Sequence, residues 1–429
     1  MCMVQSIKRI FNSVRLRLMF ASCSVLFLAV PDSLKAQVLS LDSVLTLVEQ
    51  NNPTLRAYDS RIAGMNEYVS GATSWMAPMV GAGTFMTPYP GQSGMEGSAR
   101  GSWMFSVEQE IPHPARQRAN AQYLRSRAAV EEEARAQRFN DLRSQAKTFY
   151  YQWLVNEERL RLLNDAEEIM TLMLKLAKIR HPYNQGNLGG IYRAEGRLAE
   201  VQNAQMMTRG EIEFAQAQLK ALMALPSSAT MQVDTAITPG FNFDPSAYDT
   251  ATLSQVRSDV RGLEARIAVT RLNQQLQRLQ SKPEFRIRFD HMQPIANMPP
   301  QYSLMGMISL PIAPWSSERY KSSVRGIERE IESMNHDREA VLLEAHGRLT
   351  SMTARIRQIS QQLENYSERI LPALEKNYRV VMLAYEENRE QLPAVIDAWE
   401  ALNSARMEYL TKKDEYYKMI VAYEKEIEK

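Results

Sequence analysis

The chain has 429 residues, 45% of them hydrophobic and 23% charged, with a formal net charge of +2. That is enough apolar material for a sizeable core, and the near balance of charge leaves no basic excess of the kind nucleic acid requires. Both cysteines, Cys2 and Cys23, fall near the start, so the rest of the chain offers no disulfide, thiolate metal site or cysteine nucleophile.

Residues 1–36 read as a signal peptide. Lys8, Arg9, Arg15 and Arg17 form a basic start, Leu18 to Val30 is a short apolar stretch, and Ala36-Gln37 is a candidate cleavage point. The stretch is short for a membrane span, and nothing later in the sequence reads as a transmembrane helix. Phe20-Ala21-Ser22-Cys23 loosely matches a lipid-attachment site, although most of the apolar stretch follows the cysteine. Removing the segment takes away five basic residues and one acidic residue, leaving 46 and 48 and a net charge of −2.

The first repeat is expected over 37–225. Leu41 to Tyr68 reads as helix, capped by Ser40 or Asp42 and interrupted near Pro53. A β-hairpin follows at about 75–111. Val80, Ala82, Thr84 and Met86 alternate with Gly81, Gly83 and Phe85, and Trp103, Phe105 and Val107 alternate with Ser102, Met104, Ser106 and Glu108. From Ala115 to about Arg180 the chain has no internal Gly or Pro. Phe139, Leu142, Ala146, Phe149, Trp153, Leu160 and Leu163 follow a 3-4 spacing with Asn156 in the missing step, which is a coiled-coil seam. Roughly 65 residues at about 1.5 Å each make a rod near 100 Å long. A turn and another helix carry the repeat to residue 225.

Residues 226–249 read as a linker without helical period, and 250–429 as a second repeat. Its helix leads to a hairpin at about 283–311. There Phe285, Ile287 and Phe289 alternate with Arg286, Arg288 and Asp290, and Tyr302, Leu304, Gly306 and Ile308 alternate with Ser303, Met305, Met307 and Ser309. Long helices follow over about 315–429, the first expected from Ser316 to Ile370 with Val324, Ile327, Ile331, Met334, Val341 and Ala345 as its stripe. Helices of this length do not belong to a compact globular domain.

The two halves carry one plan. Tyr183-Asn184-Gln185-Gly186 with Ile191, Leu198 and Ala204 recurs as Tyr385-Glu386-Glu387-Asn388 with Leu392, Ile396, Ala401 and Leu402, offset by 202 residues. Gln109-Glu110-Ile111-Pro112-His113-Pro114 recurs as Ser309-Leu310-Pro311-Ile312-Ala313-Pro314. Such a unit cannot bury its own sheet edges and helix stripes alone.

A strand aromatic on one face and charged on the other fits a wall between lipid and water, with Arg286, Arg288 and Asp290 facing the lumen. The bland alternative is a half-buried strand in a soluble sheet. Four strands cannot close a transmembrane barrel, and open edges are not tolerated in hydrocarbon. Two chains would supply eight strands and three would supply twelve, enough for a water-filled lumen. The expected fold class is therefore mainly α with a small transmembrane β part: a duplicated helix–hairpin–long-helix unit, trimeric, with a 12-stranded β-barrel continued by an α-helical coiled-coil tube.

No catalytic constellation is visible, no cofactor is expected, and the chain is not expected to be an enzyme. His113, His181, His291, His336 and His346 are scattered, without ligand spacing. Met292, Met298, Met305 and Met307 cluster around the second hairpin. Thioethers bind soft ions such as Cu(I), but methionine more often fills irregular gaps, so no metal site is assigned.

At this point the chain resembles the TolC-like outer membrane efflux protein family over about Leu39 to Ile427. Asn51-Asn52-Pro53-x-Leu55 is similar to its N-N-P-x-L, and Arg257-Ser258-Asp259-Val260 to its R-P-D-L, with Ser258 in place of Pro. Gln109 to Pro114 resembles the Q-x-I-P-x-P corner of the branch serving metal-exporting RND systems. Tyr183-x2-Gly186 and Tyr385-x2-Asn388 resemble the Y-x-x-G tip turns, Asn388 departing from Gly.

The resemblance implies a homotrimeric channel in the outer membrane of a Gram-negative bacterium, in contact with outer membrane lipid. A helical tube would reach through the periplasm to an adaptor (membrane fusion protein) and an inner-membrane pump, RND type. The channel would conduct small molecules or ions passively. The duct of a type I protein secretion system and a periplasmic coiled-coil adaptor are the alternatives. Carried over, the adaptor-docking tip is Gly186, Asn187, Leu188 and Gly189 with Asn388, Arg389, Gln391 and Leu392. The family's pair of pore-gating acids maps to Ala394 and Asp397, so the expected gate is Asp397, with Glu195 at the matching place in the first repeat. The alternative for Asp397 is a solvated helix face.

Overall fold

The computed structural model describes residues 37–89, 91, 100–183, 188–233, 248–295, 298–311 and 313–429. The expected signal peptide with its candidate cleavage point at Ala36, the expected tip residues Gly186 and Asn187, and most of the connecting stretch lie outside the described residues.

The chain opens with a short strand, β1 (Gln37–Leu39), then α1 (Leu41–Asn51) and α2 (Pro53–Ser70). The Asn-Asn-Pro motif makes the corner between these helices. Asn52 caps α2 by accepting the Thr54 N–H at 2.9 Å, and its amide donates to the Leu222 carbonyl at 2.9 Å. Pro53 begins α2, where a missing N–H is harmless, and Leu55 two residues on is fully buried. The motif is thus a cap that also ties the start of the chain to a distant helix end.

β2 (Met79–Phe85) and β3 (Ser102–Ile111) form the first hairpin. Pro112-His113-Pro114 then turns the chain into α3 (Pro114–Arg180), 67 residues without interruption and about 100 Å long at 1.5 Å per residue. His113 caps it, its Nδ1 accepting the Ala115 N–H at 3.2 Å. The chain resumes as α4 (Leu188–Leu222).

The connecting stretch is not featureless. Met231–Val233 forms β4, which pairs in parallel with β1. Three residues are too few for a periodic signal, and the partner lies at the other end of the repeat. The second half supplies α5 (Thr250–Val256), α6 (Ser258–Arg278), β5 (Glu284–Pro294), β6 (Gln301–Ser309) and α7 (Pro314–Asn365).

The helix expected to end at Ile370 does not end there. A π-helical turn over Tyr366–Ile370 leads directly into α8 (Leu371–Glu386). Pro372 has no N–H to give to the carbonyl four residues back, and a wider turn just upstream accommodates that missing bond. The chain finishes with α9 (Leu392–Glu426).

α3 is the spine, packed against α1, α2, α4, α6 and α9. Its expected seam is real: Leu142, Ala146, Trp153, Asn156 and Leu163 are buried, while Phe139, Phe149 and Leu160 pack at the margin. One core joins Tyr150 and Trp153 to Val44, Val48, Leu219, Tyr417 and Val421. A second, nearer the tip, joins Met170 and Met173 to Ile191, Ala194, Tyr385, Ile396 and Trp399. A third joins Leu253 to Ala345, Leu349, Ile356 and Ile420. The α7 stripe is less covered: Val324, Ile327, Ile331 and Val341 are only half-buried.

Candidate functional site: a two-faced sheet and a helical tip

The two hairpins, far apart in sequence, join into one four-stranded antiparallel sheet in the order β2-β3-β5-β6. The join is β3 to β5, with Val107 opposite Phe289 and Glu108 opposite Arg288. β2 and β6 are left as open edges.

Because side chains alternate, the register sorts the sheet into two faces. One carries Val80, Trp103, Phe105, Val107, Phe285, Ile287, Phe289, Tyr302, Leu304 and Ile308. All are exposed, from 43% at Phe289 to 78% at Val80. Phe289 and Tyr302 stack with ring centroids 6.2 Å apart. Among the described residues no other part of the chain covers this apolar surface, which is large and contiguous.

The other face is ionic. Arg286 meets Glu108 at 3.0 Å and Glu110 at 3.8 Å, and Arg288 meets Asp290 at 2.8 Å. Asp290 is only 4% exposed. Arg286, Arg288 and Asp290 therefore share the face on which the sequence places them. Their partners Glu108 and Glu110 were missed, because they belong to the other hairpin and only the β3–β5 register brings them across.

At the far end of α3 the second turn is well defined. Asn388 has φ +58°, a left-handed conformation in which glycine is easiest and asparagine is among the better-tolerated alternatives. The departure from Y-x-x-G at Asn388 therefore keeps the turn. Tyr385 is buried beneath it. Arg180 lies 4.4 Å over the Tyr385 ring and donates to its carbonyl at 3.0 Å.

The expected tip residues separate into two groups. Leu188, Gly189, Asn388, Arg389 and Gln391 are exposed, Arg389 beside Glu387 at 3.2 Å. Leu392 is instead buried, packed where α4 approaches at Gly190.

The two expected gate acids are each partnered within the chain. Asp397 pairs with Arg193 of α4, and Glu195 with Lys178 of α3 at 2.7 Å. Arg193 also reaches Glu400 at 3.6 Å, and Arg197 holds Glu400 at 2.6 Å. The hydrogen bonds that Arg197 donates to Glu200 and Glu400 raise its pKa above the ordinary value. The tip thus carries a small ionic lattice, in which Asp397 is the most exposed of the acids that Arg193 contacts.

Among the described residues there is no cluster of three or more His, Asp or Glu able to hold a metal, and no helix long and apolar enough to cross a membrane. The second statement says nothing of a β-barrel.

A long helical body with a small strand bundle at one end defines a class of its own. The fold is that of the TolC-like outer membrane channels. The outer membrane channel OprN superposes with a TM-score of 0.71 at 16% identity, covering 90% of this chain and 89% of that one. CusC, described with its transmembrane channel formation, gives 0.70 at 14%, covering 90% and 91%. The outer membrane protein VceC of Vibrio cholerae gives 0.72 at 13%, covering 90% and 95%. No protein-family model and no curated protein matches the sequence. At these identities the likeness establishes the fold, and the motif resemblance read from the sequence points to the same class.

Proposed function

We propose that three copies of this chain assemble into an outer membrane exit channel of a tripartite efflux system in a Gram-negative bacterium. One observation carries the reading: an exposed aromatic and aliphatic face on a sheet with two unpaired edges. In water that face is a liability and the edges invite aggregation. In a bilayer the face is satisfied by lipid, but only if the edges close on other copies. Three copies would give twelve strands, with Glu108, Glu110, Arg286, Arg288 and Asp290 lining the lumen.

The helices support the same assembly. Tyr192, Met206 and Phe214 on α4, and Leu343, Val380 and Leu383 on α7 and α8, are all at least half exposed in the single chain. Neighbouring copies would cover them to form the tube. Its open end would carry Leu188, Gly189, Asn388, Arg389 and Gln391 as docking points for a periplasmic adaptor, itself bound to an inner-membrane pump. Transport through the channel is passive.

Electron microscopy of detergent-extracted protein tests this. The expected particle is a threefold tube about 100 Å long with a barrel at one end. A water-soluble monomer would overturn the proposal and favour a periplasmic coiled-coil adaptor with a soluble sheet.

The gate at Asp397 has its own test. Its pair with Arg193 is exposed and contributes only about 0–1 kcal/mol to folding, so Asp397→Ala should assemble normally. Removing three carboxylates from a narrow ring should raise the conductance of the closed channel in planar bilayers. Unchanged conductance would remove Asp397 from the constriction.

A further inference from the structure

On the ionic face of the sheet the register places Met79, Met104, Met292, Met305 and Met307, and not one valine, leucine or isoleucine. The opposite face carries the aliphatic residues and, Phe85 apart, the aromatic ones, and no methionine among the described strand positions. This segregation is not what gap filling produces. Methionine as filler belongs in a packed interior, whereas Met79 is 60% and Met305 47% exposed.

Met104 and Met292 stand directly opposite one another on the two central strands. Cβ atoms of such a pair lie about 4.5–5.5 Å apart, within bridging reach of two flexible thioethers. Met305 and Met307 sit opposite Arg288 and Arg286 on the next strand.

We propose that Met104 and Met292 form a binding site for soft monovalent d10 cations, of the Cu(I) and Ag(I) type, on the channel wall. Thioether sulfur selects such ions over Mg2+, Ca2+ or Zn2+. His291, which would broaden the site towards borderline metals, occupies the opposite face, paired with Phe105 and Tyr302. Two thioethers bind weakly, as an ion on its way through a channel requires. Glu108 and Asp290, farther along the same face, keep the approach from being purely cationic. The inference rests on the reading of this face as luminal.

The test uses the full chain in detergent with silver nitrate in chloride-free buffer, bound silver being measured after equilibrium dialysis. The expected result is saturable binding at micromolar silver, resistant to zinc competition. Met104→Leu/Met292→Leu, which keeps shape and hydrophobicity, should weaken it by about tenfold or more. Met206→Leu/Met207→Leu on α4 should leave it unchanged. Equal binding by wild type and the first double variant, or none by wild type, overturns the site. Microscopy of the same samples separates the two failures. Threefold tubes that ignore silver remove this inference alone, and monomers remove the channel reading with it.

Discussion

Arg257→Ala is expected to destabilise the chain by about 3 kcal/mol, at the lower end of the range for breaking a buried ion pair. Arg257 is 7% exposed and sits at the start of the second repeat. It donates to both Asp259 oxygens, at 3.0 and 2.6 Å, and to the Glu426 carbonyl at 3.1 Å, and it also pairs with the Glu426 carboxylate. Burial alone would lower its pKa. The hydrogen bonds and charges of Asp259 and Glu426 outweigh that and raise it. Glu426 retains Arg348 at 3.0 Å after the substitution, which is why the loss stays near the low end.

The site is one strand of a larger clasp on the end of α9. Lys147 of α3 holds Glu424 at 2.6 Å, and Asn140 donates to the Lys425 carbonyl at 2.8 Å. Arg257→Lys, which keeps the charge and loses the planar fork, should fall between wild type and Ala. Thermal unfolding midpoints of these variants, with Arg257→Ala/Glu426→Ala as a cycle, measure the coupling. Unchanged midpoints would mean that the clasp adds nothing to stability.

The same residues show what the sequence could and could not convey. Arg257-Ser258-Asp259 was legible as a motif, but its meaning lies in Glu426 and Glu428, some 170 positions away. Ser258 stands where the resemblance expects proline. At the first position of α6 either residue is tolerated, and Ser258 uses both its N–H and its hydroxyl to reach Glu428, at 2.7 and 2.6 Å. Local periodicity announced the strands, the long helix and the corner at Pro112-His113-Pro114, because each is fixed by neighbours in sequence. The β3–β5 join, the β1–β4 pair and the Arg193–Asp397 pair depend on register between distant segments, which no local pattern encodes. The helix expected to end at Ile370 runs on past Pro372 for another reason. A proline usually ends a helix, but one π turn was enough to let it continue.

Phe289→Lys carries the second large expectation. Phe289 lies mid-strand on the apolar face, opposite Val107 and Leu304 and stacked on Tyr302. If that face meets hydrocarbon, a lysine there costs about 2–4 kcal/mol per copy near the bilayer midplane. Three copies multiply the penalty within one barrel. Oligomers that resist unheated detergent electrophoresis should therefore disappear. Ser303→Lys is the matched control. It lies one residue along on the ionic face, directly opposite Asp290, where the new charge meets water and a carboxylate. It should assemble as wild type does. In a soluble sheet Phe289 would be a half-exposed surface residue, and a lysine there would cost a fraction of a kcal/mol, within the usual ±0.5 kcal/mol of surface changes. Equal assembly of the two lysine variants would therefore deny lipid contact to the aromatic face, and with it the reason for the sheet edges to close on other copies.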